Sequence, residues 1–244
     1  MLPKLGSFTF HIDSYVCDFK GKATLPVIGD FILQAATMHA SERGFGYETM
    51  VKEYTAWVLS RLSIEMYEYP AYDEDIVIET WIEDVSRFFT QRCFRFVNGS
   101  QQTIGYARTI WAAIDMTTRR PVDILAWKGE IADYIETERD CPAKKPEKIP
   151  AVDGETIHEY TVKYSDIDIN RHVNSVKYIE HLVNVFDLEM FKNNDIGTFE
   201  IVYLTEGMFG DKLSIYQQAR SANEYLMDVK KDGLSVCRSR IVWK

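Results

Sequence analysis

The sequence predicts an α+β protein made of two copies of one unit, each a long helix with an antiparallel sheet. Three landmarks carry that prediction. The turn pair Asn98-Gly99 returns as Asp232-Gly233, Trp111 near the end of a strand-like segment returns as Trp243, and Glu74-Asp75-Ile76 returns as Asp211-Lys212-Leu213. All three recur at a spacing of about 135 residues. The 244 residues suit one large domain or two small ones, and a hydrophobic content of 46% supplies a substantial core.

In the first copy, residues 8–19 alternate loosely between apolar and polar and predict a strand. Residues 30–43 are rich in helix formers, with Asp30 placed to cap the helix and Gly44 to end it. Segments 57–67, 75–85 and 88–97 are rich in β-branched and aromatic residues and predict strands. Asn98-Gly99 predicts a hairpin, with 103–115 as the return strand. Residues 121–139 have room for a helix, and the Pro- and Lys-rich run 141–150 predicts a linker over the surface. The second copy predicts a helix from about residue 171, then strands at 198–204, 212–220, 225–230 and 234–243, the last two joined by Asp232-Gly233. The chain thus divides into a first unit, 1–122, a connection, 123–157, and a second unit, 158–244.

Composition narrows the function. A net charge of −9 argues against a general nucleic-acid binder, which needs a basic face. No apolar run approaches the ~18 residues of a membrane span. The first residues carry no apolar leader and no Arg/Ser-rich transit pattern, so a cytoplasmic protein with no membrane partner is expected. Cys17, Cys93, Cys141 and Cys237 are scattered, without a Cys-x-x-Cys pair, and are expected to be reduced. The Cys and His residues lack zinc spacing. No metal or cofactor is expected.

The densest chemistry lies at 164–180. Asp166, Asp168, Asn170, His172 and Asn174 occupy every second position. From Val173 onward, Val176, Ile179, Leu182, Val183, Phe186 and Met190 recur at three- and four-residue steps, the period of an amphipathic helix. The polar run therefore sits at the mouth of a helix, where unpaired N–H groups and the positive end of the dipole favour a developing oxyanion. One N-cap explains one Asp or Asn, but it explains neither several nor His172.

The run Asp-Ile-Asp-Ile-Asn-Arg-His-Val-Asn-Ser-Val-Lys-Tyr-Ile resembles the signature Asp-x-Asn-x-His-Val-Asn-Asn-x-x-Tyr of acyl-acyl-carrier-protein thioesterases. Asp168, Asn170 and His172 match its Asp, Asn and His. Glu206, in Val-Tyr-Leu-Thr-Glu-Gly, matches the family's downstream Glu. Weaker likenesses in the first half are Trp57-Val58-Leu59-Ser60-Arg61, Tyr69-Pro70, Glu79-Thr80-Trp81 and Thr118-Arg119-Arg120-Pro121. Two departures stand out. Ser175 replaces the second Asn, and Gly207 stands where many plant members carry a Cys, so a cysteine nucleophile at that position is impossible.

The resemblance implies a tandem double hotdog, each unit a long helix wrapped by a curled antiparallel sheet, that hydrolyses fatty acyl carrier thioesters to free fatty acid in fatty acid biosynthesis. The first copy lacks the signature, since 25–32 holds only Asp30 among charged residues, and is assigned to acyl binding. Candidates for the acyl slot are Phe31, Leu33, Met38, Trp57 and Leu59. Glu206 would hold or deprotonate water, and His172, on the first helical turn, would protonate the leaving thiolate or orient the water. Asn170 would hold water or polarise the carbonyl, and the backbone N–H groups of Val173 and Asn174 would take the oxyanion. Asp168 either orients His172 or attacks the thioester itself. The implied partner is an acyl carrier protein bearing a 4′-phosphopantetheine-linked chain. Arg119, Arg120, Lys144, Lys145, Lys148, Arg171 and Lys177 are available as its basic landing zone. A homodimer is compatible with this reading. Two alternatives stay open: an acyl-CoA thioesterase with the same chemistry, and a non-catalytic acyl-binding hotdog protein.

Overall fold

The computed structural model describes residues 2–244, which divide between Lys145 and Pro146 into two compact units. In the first unit, β1 (Gly6–His11), β2 (Thr55–Met66), β3 (Asp75–Val85), β4 (Phe89–Val97) and β5 (Thr103–Asp115) form an antiparallel sheet in the order β1-β3-β4-β5-β2. Helix α1 (Leu25–Glu42) buries Leu25, Ile28, Phe31, Ile32, Ala35, Ala36 and His39, a helical stripe. Phe31 stacks on Phe10 of β1 with ring centroids 4.6 Å apart, a contact worth about 0.5–1.5 kcal/mol beyond its buried area. Short helices α2 (Tyr47–Lys52) and α3 (Ile124–Trp127) close the far end, where Met50 and Ile124 join Ala40, Phe45, Ile82, Ala113 and Ile131 in one cluster.

The second unit repeats the plan. Strands β6 (Thr156–Thr161), β7 (Ile196–Tyr203), β8 (Lys212–Ala219), β9 (Glu224–Lys231) and β10 (Leu234–Trp243) are ordered β6-β8-β9-β10-β7. Helix α4 (Ser175–Val183) buries Val176, Tyr178, Ile179, Leu182 and Val183. It ends there, and Met190 belongs to a separate short helix, α5 (Leu188–Asn193). The Asp232-Gly233 hairpin has φ of 49° and 79° at its two central residues, the left-handed pair that a two-residue loop between twisted strands requires.

Several boundaries differ from the sequence reading. α1 starts at Leu25, with Thr24 as its N-cap and Pro26 in its first turn, so Asp30 lies inside the helix. Proline is tolerated there because the first-turn N–H has no intrahelical partner. The Asn98-Gly99 turn is longer than a two-residue hairpin. Asn98 Oδ1 accepts the N–H groups of Ser100 and Gln102, and Gln101 takes the left-handed position, at φ 61°. Within 121–139 the helix is only α3 plus a 3-10 turn at Gly129–Tyr134.

The predicted first strand ends at His11. Beyond it comes a 3-10 turn, Ser14–Val16, and a loop that occurs twice in the molecule. Asp18 Oδ1 accepts the N–H of Lys20 (2.8 Å) and Lys22 (3.1 Å), while Asp18 N–H donates to Lys22 O. In the second unit Asp168 Oδ1 accepts the N–H of Asn170 (2.8 Å) and His172 (3.3 Å), and Asp168 N–H donates to His172 O. Gly21 and Arg171 share the left-handed corner, at φ 69° and 68°. The first copy therefore does have the loop at its helix mouth, just upstream of the 25–32 window in which the sequence reading sought it.

The segment between the copies is anchored at both ends. On the first unit, Arg108 Nη2 donates to Cys141 O and Lys144 N–H to Glu65 Oε1, with Cys141 and Ala143 buried. On the second, Val152 N–H donates to the fully buried Asp228 and Arg238 Nη1 to Ile149 O. Among the described residues no helix is long and apolar enough to cross a membrane.

Candidate active site

The Asp168 loop sets the site. Because one carboxylate oxygen receives the N–H groups of both Asn170 and His172, the backbone doubles back and displays those two side chains outward. Ile167 and Val173 then bridge, and Val173 N–H donates to Gly207 O at 2.9 Å. That bond draws in the segment just beyond β7. Glu206 thereby brings Oε2 to 3.3 Å from His172 Nε2, with the two side chains 36% and 20% exposed. An acid and an imidazole are thus paired where solvent reaches both. The Asn170 side chain, two residues before His172, is exposed, and its amide makes no hydrogen bond among the described residues.

Three expectations need correction. His172 is not on the first helical turn. The helix begins at Ser175, and Asn174 is its N-cap, with Oδ1 accepting Val176 N–H at 2.9 Å. The N–H groups of Val173 and Asn174 do not face an oxyanion, because they already donate to Gly207 O and Asp166 O. Asp168 acts on His172 through the backbone, with no hydrogen bond to its ring among the described residues. Of the predicted donors, the Asn170 amide is the one with no hydrogen bond among the described residues.

Sequence reasoning gave no role to His181 or Asp166. Asp166 is 6% exposed; its Oδ2 accepts Lys163 N–H, and its Oδ1 lies 3.3 Å from His181 Nε2. Burial lowers the His181 pKa against the opposing pull of Asp166. Its ring stacks on Tyr160, with centroids 3.7 Å apart. The pair braces the loop from behind. Tyr178, also on α4, has its hydroxyl pKa raised by burial.

The five slot candidates occupy different settings. Phe31 and Leu59 are buried, Leu33 is half-buried, and Trp57 packs against the Phe45–Met50 cluster with Nε1 donating to Phe45 O. Met38 is 45% exposed, so a buried slot does not include it. Cys93, Cys141 and Cys237 are buried and Cys17 is half-buried. No group of three or more His, Cys, Asp or Glu side chains is gathered for a metal among the described residues.

Comparison with known proteins agrees in both halves. The family models for the acyl-ACP thioesterase N-terminal domain and C-terminal domain match residues 6–132 and 149–244. The crystal structure of an acyl-ACP thioesterase from Bacteroides thetaiotaomicron is 41% identical and superposes with a TM-score of 0.93, covering 99% of this chain and 98% of that one. The 12:0-ACP thioesterase from Umbellularia californica, 21% identical, shares the fold with a TM-score of 0.88 over 100% of this chain and 98% of its own. Among curated relatives, oleoyl-acyl carrier protein thioesterase 2 of Arabidopsis thaliana is 25% identical over 88% of this chain. A palmitoyl-acyl carrier protein thioesterase of Gossypium hirsutum is 23% identical over 98%. The chain spans 63% of the length of each of these two.

Proposed function

The chain belongs to the acyl-ACP thioesterase family, a double hotdog fold, and from that premise we propose that it hydrolyses fatty acyl-carrier-protein thioesters to free fatty acid. The supporting observation is the His172–Glu206 contact at 3.3 Å, held at an accessible loop. In this reading Glu206 takes a proton from water as its oxygen attacks the thioester carbonyl. The Asn170 amide donates to the developing oxyanion. The tetrahedral intermediate then expels the thiol by breaking C–S, and His172 supplies the proton to the departing sulfur. Asp168 is the loop's fixture, since its Oδ1 is already engaged by two N–H groups. The acyl chain is proposed to lie in the first unit, against the buried faces of α1 and its sheet.

His172→Ala and Glu206→Gln are each expected to lower kcat by about 10²-fold or more. Circular dichroism should show both folded. Wild-type turnover by either folded variant removes that residue from the mechanism. Matched acyl-carrier and acyl-CoA substrates of several chain lengths test the thiol. Preference for the carrier supports the proposal, and equal efficiency on CoA moves the protein to acyl-CoA hydrolysis. If basic side chains such as the exposed Lys144, Lys145 and Lys148 receive the carrier, kcat/KM for it falls with added salt.

A further inference from the structure

Tyr178 on α4 is 3% exposed, and its buried hydroxyl faces the Gly207 backbone. A Cβ built at Gly207 would lie 2.5 Å from Tyr178 Oη and 3.0 Å from Val173 Cγ2. Gly207 is not among the residues at positive φ, so space, not backbone freedom, requires glycine there. The tyrosine hydroxyl fills the volume that a side chain at 207 would take.

The Gly207 backbone is thus held from two sides. Its carbonyl is tied to Val173 N–H at 2.9 Å, and the Tyr178 oxygen sits where its Cβ would be. The preceding residue is Glu206, whose carboxylate must stay 3.3 Å from His172 Nε2. The ring of Tyr178 is itself fixed edge-on by Tyr203, with centroids 6.1 Å apart, and Tyr203 Oη donates to Ser175 O at the start of α4.

The first unit supplies an internal control. There Ala23 N–H donates to Pro70 O, the counterpart of the Val173–Gly207 bond. The residue before Pro70 is the buried Tyr69, where the second unit has Glu206. Counting from the first residue of each helix, Leu25 and Ser175, the position of Tyr178 is filled by the fully buried Ile28. The copy without the carboxylate also lacks the hydroxyl.

We infer that Tyr178 is a positioning residue whose hydroxyl is the stop against which the Gly207 backbone rests, fixing the distance of Glu206 from His172. The inference builds on the reading of that pair as the hydrolytic centre.

The test is a double-mutant cycle of Tyr178→Phe, Gly207→Ala and both together. Each protein is assayed for kcat and KM on acyl-carrier substrate, for the NMR signals of the His172 ring, and for thermal unfolding. Gly207→Ala pushes the segment off its stop and lowers kcat about tenfold or more, with little change in KM. The His172 signals move with it. In the double variant the oxygen is gone, the remaining tight contact is Val173 Cγ2 at 3.0 Å, and kcat and the His172 signals return most of the way. Tyr178→Phe alone loosens the segment and lowers kcat by a smaller factor.

A Gly207→Ala protein with wild-type kcat and unmoved His172 signals overturns the proposal, as does a double variant no better than Gly207→Ala. If Gly207→Ala fails to fold, the double variant is expected to fold and turn over, and its failure to fold counts against the stop. A wild-type protein inactive on acyl-carrier substrate overturns the proposed function instead. The His172 signals and melting temperatures of the four proteins would still report whether the contact exists.

Discussion

His39 is fully buried on α1, its Nε2 3.0 Å from Lys4 O and its Nδ1 2.9 Å from the Arg92 guanidinium. Burial first, and the positive charge of Arg92 second, hold its pKa down to about 3. An unfolded histidine titrates near 6.5. Below that pH the unfolded chain binds a proton that the folded one refuses, so stability is lost as pH falls from about 7 toward 3. Between pH 7 and pH 5 this single residue is expected to remove roughly 2 kcal/mol. Thermal melts of wild type and His39→Gln over that range check it, the variant losing less stability with acid. The residues of the candidate site were readable because Asp168, Asn170 and His172 form one local pattern. The bracing pair His181–Asp166 and the Tyr178–Gly207 contact were not, because a glycine retained for space reads in sequence like one retained for a turn.

The unit of construction at the next scale is the loop that precedes each helix. Asp18 and Asp168 each hold two backbone N–H groups with one carboxylate oxygen. Asp18→Ala and Asp168→Ala are therefore each expected to lower stability by about 1–2 kcal/mol, seen as similar drops in melting temperature. Only Asp168→Ala should also lower kcat steeply, because only its loop displays Asn170 and His172. Element types were legible from apolar spacing, and the Asp232-Gly233 hairpin from its turn chemistry. Helix starts were not: Thr24 and Asn174 are the caps, but Asp30, Asp168 and Asn170 are equally plausible by residue type. What decides among them is where each loop is pinned, by Ala23 N–H to Pro70 O and Val173 N–H to Gly207 O, contacts distant in sequence.

Across the whole chain, the turn landmarks exposed the duplication because they keep nearly the same spacing, about 135 residues, although the strands of the first copy are the longer ones. The equivalent loops escaped notice because their spacing differs from that of the hairpins: α1 and α2 make the first copy's helical part longer. Cys93, Cys141 and Cys237 are buried and Cys17 is half-buried, and the proposed mechanism uses none of them. A variant with all four changed to Ala should keep most of its kcat and melt at a lower temperature from small cavities. If it folds and binds substrate without turnover, water activation by Glu206 and His172 is wrong. The paired loops have a further consequence for inheritance. In a protein assembled from two identical chains, any substitution is written twice, so histidine and lysine can never stand at the same position. Here Lys22 and His172 do occupy one position in two copies of a loop. Each can mutate without altering the other, so a change in one loop across generations leaves the chemistry of the other loop untouched.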